Sequence, residues 1–414
     1  MGHSPGSSAS VLPSARAFPS RPRPVLMAPA AFLEIRQRMQ SGLLIIRASK
    51  PESWAMDITV KASSIEIKNG EDCQMLNLPP EVRIVPSSCR GLQYVPGDGL
   101  HVRLLVQAGL HTKSISALKD SLKSQKSYTF YCQSCGESVI KDRRFLRILS
   151  LPGENWSDLV EEWCCHPNPF SSSLLLPQND DCFLGHNYFL VNSGSEPPVS
   201  RSKLLHSESQ GASPGNSGPS ALNSKANSRV ICKRCKTLLG EALSTGVIKY
   251  YFSELLVQPS EESFGTITRS LFIQSVVAQC LVELSSARST FRFSIQGTEG
   301  TVYILMWLLN SDTLLVESSG NSTFNNGFTL FEHNVVSNSK PLDIRNTIKV
   351  LYHPCLKSRN KDLVDAWEND FGVHSLTFPS KTCLELLLIL AQSNASLPLS
   401  LRCMNSFEVA FLKM

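Results

Sequence analysis

Two short cysteine pairs constrain this chain more than any other feature: Cys132-Gln133-Ser134-Cys135-Gly136 and Cys232-Lys233-Arg234-Cys235-Lys236. A Cys-x-x-Cys turn aims two thiolates at one point, and two such turns complete the tetrahedral four-sulfur shell of a structural zinc ion. Cys132, Cys135, Cys232 and Cys235 are therefore the expected zinc ligands. A closed shell has no open position for a reactive water, so hydrolysis at this centre is not expected. Ninety-six residues separate the two pairs, so the ion would staple remote parts of one unit together. Closure entropy grows only logarithmically with loop length, which makes the gap tolerable. A redox pair, or two unconnected turn cysteines, are the other readings of the same residues.

Composition narrows the setting. The chain has 414 residues and thirteen cysteines, and its start shows no charged segment followed by an apolar one, so no secretory signal is read. Such cysteine use fits a reducing compartment, cytoplasmic with the nucleus as a second location. Lys and Arg total 40 against 35 Asp and Glu, a net charge of +5. That is too small for a basic nucleic-acid platform, and no direct nucleic-acid binding is expected. The longest apolar runs, 302–309 and 383–391, fall short of the ~20 residues that cross a bilayer, so a soluble chain with no membrane association is expected.

The pattern along the chain predicts an α+β protein. Residues 1–30 are rich in Pro, Ser and Arg and are expected to be disordered. Residues 31–258 are expected to form a β-rich zinc-stapled domain. Its period-2 runs at 56–60, 64–67, 81–85 and 100–104 are bounded by turn residues such as Asn69-Gly70 and Pro79-Pro80. Within it, 19 of the 36 residues over 193–228 are Ser, Gly or Pro and none is aromatic, the composition of a disordered insertion. Residues 259–414 read as an α+β domain. Leu271, Phe272, Val276, Val277, Cys280, Leu281 and Leu284 recur at helical spacing, strands follow at 290–295, 302–308 and 313–317, helices at 360–368 and 383–392, and a last strand at 407–412.

Between the cysteine pairs stands Trp163-Cys164-Cys165-His166-Pro167. Trp156, Leu159, Val160 and Trp163 follow helical spacing, so a short helix would deliver two soft ligands and an imidazole to a Pro-terminated turn. That suits binding a metal, including one held by another protein. The plain alternative packs the tryptophans on the β domain and leaves Cys164, Cys165 and His166 as edge residues.

The end of the chain carries a second candidate, Phe378-Pro379-Ser380-Lys381-Thr382-Cys383-Leu384-Glu385. Thr382 and Glu385 have capping-box spacing, which would make Thr382 the N-cap and place Cys383 in the first helical turn. Unpaired N–H groups there would lower the thiol below its free value of ~8.5 and make it a nucleophile suited to thioester exchange. The alternative is a buried cysteine acting as a small apolar residue. No His-Asp pair lies beside it, so no protease-like triad is read.

These residues carry resemblances. The Pro379 to Cys383 run, followed by a helix, resembles the active-site signature of HECT ubiquitin ligases, and Phe411, four from the end, matches that family's C-terminal Phe. With the two cysteine pairs, residues 31–414 are identified as a member of the HECT-like ubiquitin-protein ligase family that binds a ubiquitin-conjugating enzyme. The resemblance implies that Cys383 accepts ubiquitin as a thioester from that enzyme, that ubiquitin passes to substrate lysines, and that Phe411 helps place the acceptor lysine. The large helical N-lobe of true HECT ligases is missing, so docking needs another surface, for which the helix at 269–286 is the candidate; the other reading of its wide apolar stripe is core packing. The Trp163 to Pro167 run is similar to a segment of proteins that partner metallo-β-lactamase RNA endonucleases. That likeness implies a binding protein or chaperone of an mRNA 3′-end cleavage and polyadenylation nuclease, with Cys165 as a metal ligand and Trp163 and His166 as binding residues.

Overall fold

The structure, a computed structural model, describes residues 31–47, 56–69, 72–109, 122–151, 176–193, 201–202, 228–243, 246–261, 265, 267–317, 343–355 and 360–414. Strands dominate it, and three helices of eight residues or more accompany them, in keeping with the α+β reading. The expected disordered segment 1–30 and nearly all of 193–228 lie outside the described residues. Within the latter, Arg201–Ser202 pairs antiparallel with the strand Ser228–Ile231.

The largest sheet has eleven strands. Its path runs Cys403–Met404, Phe407–Lys413, Asp343–Pro354, Val302–Glu317, Ala31–Arg36, Ser41–Ile46, Gly99–Ala108 and Val82–Ile84. The strand nearest the start of the described chain is thus interior to a sheet built largely from its end. Ala31–Arg36 pairs with Val302–Glu317 from Phe32↔Glu317 to Arg36↔Thr313, so segments on both sides of the expected 258/259 boundary share one sheet. The reason lies in the residues: Ala31, Phe32, Leu33 and Ile35 are all buried, the continuous apolar character of a strand covered on both faces. Glu34 sits among them, and the Lys349 Nζ reaches both its carboxylate oxygens at 3.0 and 2.9 Å. Burial still lowers the Lys349 ammonium pKa from its usual value.

Two smaller sheets hold the cysteine pairs. Ser138–Arg144, Ser127–Cys132 and Leu255–Pro259 form one. A seven-stranded sheet contains Ser228–Ile231, Leu238–Ala242, Val247–Tyr251 and Tyr188–Asn192 in neighbouring positions. Gly240 is required here, because a Cβ on it would lie 2.1 Å from the Lys249 carbonyl oxygen of the paired strand.

The helix Arg269–Arg288 buries Phe272, Ile273, Val276, Val277, Cys280, Leu281 and Leu284 in the main core with strand residues such as Phe293, Ile304 and Val350. Its apolar stripe is core rather than an open surface, the plainer of the two readings of this docking candidate. By length and composition it could cross a bilayer, which the reading of apolar runs alone missed, yet 56% of its most apolar window is buried inside the protein. It stops at Ser289, whose φ of 53° is left-handed. The last helix, Ser380–Ser396, packs against this helix and the final strand.

Candidate functional site

The four paired cysteines meet, although their strands belong to different sheets. Each pair is built in the same way. The N–H of Cys132 donates to the Glu137 carbonyl at 2.8 Å and that of Gly136 to the Cys132 carbonyl at 2.8 Å. Across the site, the N–H of Cys232 donates to the Thr237 carbonyl at 2.9 Å and that of Lys236 to the Cys232 carbonyl at 3.1 Å. Gly136 and Lys236 take the same left-handed turn, with φ of 73° and 63°. The strain of the non-glycine residue in that conformation is about 1 kcal/mol.

The sulfurs of Cys132 and Cys235 lie 3.6 Å apart, as do those of Cys135 and Cys232, and all four lie within 4.8 Å of one another. A tetrahedral ion with metal–sulfur bonds near ~2.3 Å sets its sulfurs roughly 3.8 Å apart, so the cluster fits a metal ion. Among the described residues no cysteine is in a disulfide. Burial raises the Cys132 and Cys135 thiols. Burial also opposes ionisation of Cys235, but the Thr237 hydroxyl and N–H, with the neighbouring thiols, hold it down to about 6. Four thiolates cannot share this space without a cation to compensate them.

Cys383 lies elsewhere, in the first turns of the last helix. That helix starts earlier than the capping box predicts: Pro379 is the N-cap and Ser380 the first helical residue. Thr382 is buried and caps nothing. Its hydroxyl donates to the Glu254 carboxylate at 2.5 Å and accepts from the Arg269 guanidinium at 2.9 Å. Glu385, the other half of the expected box, accepts from Arg269 Nε at 2.9 Å. The Thr-x-x-Glu pair thus serves a tertiary charge network.

The consequence for Cys383 is burial to 0% exposure. Its N–H already bonds the Pro379 carbonyl at 3.1 Å, and its thiol donates weakly to the Gln296 carbonyl at 3.4 Å and the Phe378 carbonyl at 3.8 Å. Burial, with the Glu299 carboxylate beside it, pushes the thiol up to about 12. The expectation of a lowered, ionised thiol is corrected: desolvation and two acids outweigh the helix dipole. Around the rim, the hydroxyls of Ser380 and, at 2.8 Å, Tyr303 donate to Glu299.

The remaining candidates separate. Phe411 is buried, its ring 6.4 Å from that of Phe32 and its N–H bonded to the Ser393 hydroxyl at 2.8 Å, so its ring faces packed neighbours rather than an open surface. Trp163, Cys164, Cys165 and His166 lie outside the described residues. Sequence reasoning missed Glu254, Arg269, Glu299 and Tyr303, which surround the Cys383 turn. Arg269 and Glu385 are far apart in sequence and bond across 116 residues, so no local pattern announces them.

Known proteins resemble this chain along nearly all of its length. The family model described as HECT-like ubiquitin-conjugating enzyme (E2)-binding matches residues 34–409. A human protein named as an E3 ubiquitin-protein ligase is 55% identical over 383 residues, which cover 92% of this chain and 97% of that protein. The mouse protein of the same name is 53% identical over the same shares. An uncharacterized Saccharomyces cerevisiae protein is 19% identical over 71% of each chain. No solved structure matches.

Proposed function

Because the chain belongs to the HECT-like ubiquitin-conjugating enzyme (E2)-binding family, we propose that it is a ubiquitin-protein ligase that takes ubiquitin from a conjugating enzyme onto Cys383 and passes it to substrate lysines. The observation that carries this reading is the match along nearly the whole chain to proteins named as ligases. In the first step the Cys383 sulfur attacks the ubiquitin carbonyl carbon held as a thioester on the conjugating enzyme. The bond to that enzyme's sulfur breaks, and the Cys383 proton goes to the departing thiolate. In the second step a neutral lysine amine attacks the same carbon, the bond to Cys383 breaks, and one amine proton returns to the Cys383 sulfur. Thioester exchange needs little driving force, because the acyl group arrives activated. A fully buried thiol demands that the first turn of the last helix open for this step. Phe411 then acts as packing for that helix rather than as a direct contact to lysine.

We read the four-cysteine cluster as a zinc site held by Cys132, Cys135, Cys232 and Cys235. When bound, zinc would compensate the thiolates and tie the two sheets together.

A second reading is favoured by the burial of Cys383: a binding protein or chaperone of a metallo-β-lactamase RNA endonuclease of mRNA 3′-end processing, engaged through Trp163, Cys165 and His166. One experiment separates the two. The chain is mixed with activated ubiquitin and a panel of conjugating enzymes and examined for a reductant-sensitive adduct. The ligase reading expects an adduct lost in Cys383→Ala and kept in Cys165→Ala. Absence of any adduct across the panel removes the thioester route and leaves the binding reading.

A further inference from the structure

We propose that Glu254 is the positioning residue that keeps the first turn of the last helix closed over Cys383, so that the thiol becomes reachable when this carboxylate releases Thr382 and Arg269. Glu254 is 1% exposed and ends the single turn Phe252–Glu254, whose three residues are all buried. Its carboxylate accepts from Arg269 Nη2 at 3.0 Å to each oxygen, from the Ser253 hydroxyl at 2.9 Å and from the Thr382 hydroxyl at 2.5 Å. Arg269 closes the network from the other side: Nη1 donates to the Ser253 carbonyl at 2.5 Å, Nη2 to Thr382 at 2.9 Å and Nε to Glu385 at 2.9 Å.

Thr382 immediately precedes Cys383, so the sulfur cannot swing outward while that hydroxyl is held between a buried carboxylate and a guanidinium. The other ties on this turn are weaker. The Cys383 thiol is a poor donor at 3.4 and 3.8 Å, and the Ser380 contact to Glu299 sits at the exposed rim, where water competes. Glu254 is itself anchored to the cysteine cluster: its carbonyl accepts the N–H of Gln133 at 3.0 Å, inside the Cys132 turn, and the Gln133 side chain donates to the Ile267 carbonyl at 3.1 Å. The latch is therefore fixed on the metal-site side and releasable on the Cys383 side. This inference concerns access to the thiol and stands whether or not ubiquitin is carried there.

The test uses the full chain, with E254Q and T382V variants, and follows iodoacetamide labelling of individual cysteines by mass spectrometry under native conditions. A buried thiol labels only through local opening, so its rate reports how often the turn opens. Losing a charged hydrogen-bond partner in a buried network corresponds to at least about tenfold more opening. The expected result is Cys383 labelling at least about tenfold faster in E254Q and measurably faster in T382V. Cys182 and Cys280, both buried and neither bonded within the Glu254–Arg269–Thr382 network, serve as internal controls and keep their wild-type rates. Unchanged Cys383 labelling in T382V overturns the proposal, as does acceleration of all three cysteines together, which reports global unfolding. T382V keeps the side-chain shape, so it decides the matter even where E254Q does not fold.

Discussion

At the residue scale, the four cluster cysteines and Cys383 are conspicuous in the sequence because each belongs to a local motif. What the motif cannot convey is environment. Thr382 and Glu385 have the spacing of a cap, but their partner Arg269 is supplied from more than a hundred residues away, and with it the neighbourhood that makes Cys383 a buried neutral thiol. Two predictions belong here. Cys132→Ser removes a buried thiol of the proposed zinc site and is expected to abolish metal retention and lower the melting temperature, whereas Cys73→Ser, at an exposed position, leaves both unchanged. Metal content by atomic emission alongside calorimetry measures this; retained metal in Cys132→Ser contradicts the assignment. Buried Cys383 and Phe411 also contribute through packing. Cys383→Ala is expected to lower unfolding free energy by about 1 kcal/mol and Phe411→Ala by about 3 kcal/mol or more, read from urea titrations.

At the element scale, the reading succeeded where periodicity was strong. Met56–Val60 is a strand with the predicted bounds, and the helical spacing from Leu271 to Leu284 marks the helix Arg269–Arg288. The polar run around Asn310 and Asp312 divides the pattern, so Val302–Glu317 reads as two strands; the chain instead carries register shifts there and continues as one. Asp343–Pro354 went unread, because its Arg, Asn, Thr and Lys residues mask a strand whose partners lie on both sides. The strand Val373–Phe378, parallel to Arg292–Gly297, holds His374 almost out of solvent. Burial first, then the charge of Arg288 and the neighbouring His186, holds that imidazole down at about 4 against an ordinary 6.5. The unfolded chain therefore takes up a proton below pH 6.5 that the folded chain refuses until about pH 4. Stability is expected to be insensitive to this group above pH 6.5 and to fall across the window from 6.5 to 4, by roughly 3 kcal/mol at most. Thermal melts across that range, compared with His374→Gln, measure it; an identical pH dependence in the variant contradicts the attribution.

At the scale of the whole molecule, the topology joins what composition divides. The low-complexity stretch and the change of periodicity near residue 260 suggest two successive domains, but strand pairing depends on contacts no local pattern contains. Ala31–Arg36 fills the place beside Val302–Glu317, and Ser41–Ile46 and Gly99–Ala108 extend the sheet beyond it. Residues 259–414 produced alone would keep the first half of Val302–Glu317 paired with Arg292–Gly297 but expose its second half, 313–317, as an open apolar edge. Such a fragment is expected to aggregate or lack dispersed amide resonances, and to recover them when coproduced with residues 31–258. A well-dispersed spectrum from the isolated fragment contradicts this. Glu254, also N-terminal to the 258/259 boundary, bonds Thr382 beside Cys383, so the sealed thiol too depends on both parts of the chain. The most direct measurement of the central claim is mass spectrometric mapping of the intact chain after exposure to a ubiquitin-charged conjugating enzyme. The account predicts one ubiquitin on a thiol-labile bond at Cys383; ubiquitin found only elsewhere, or no covalent ubiquitin at all, contradicts it.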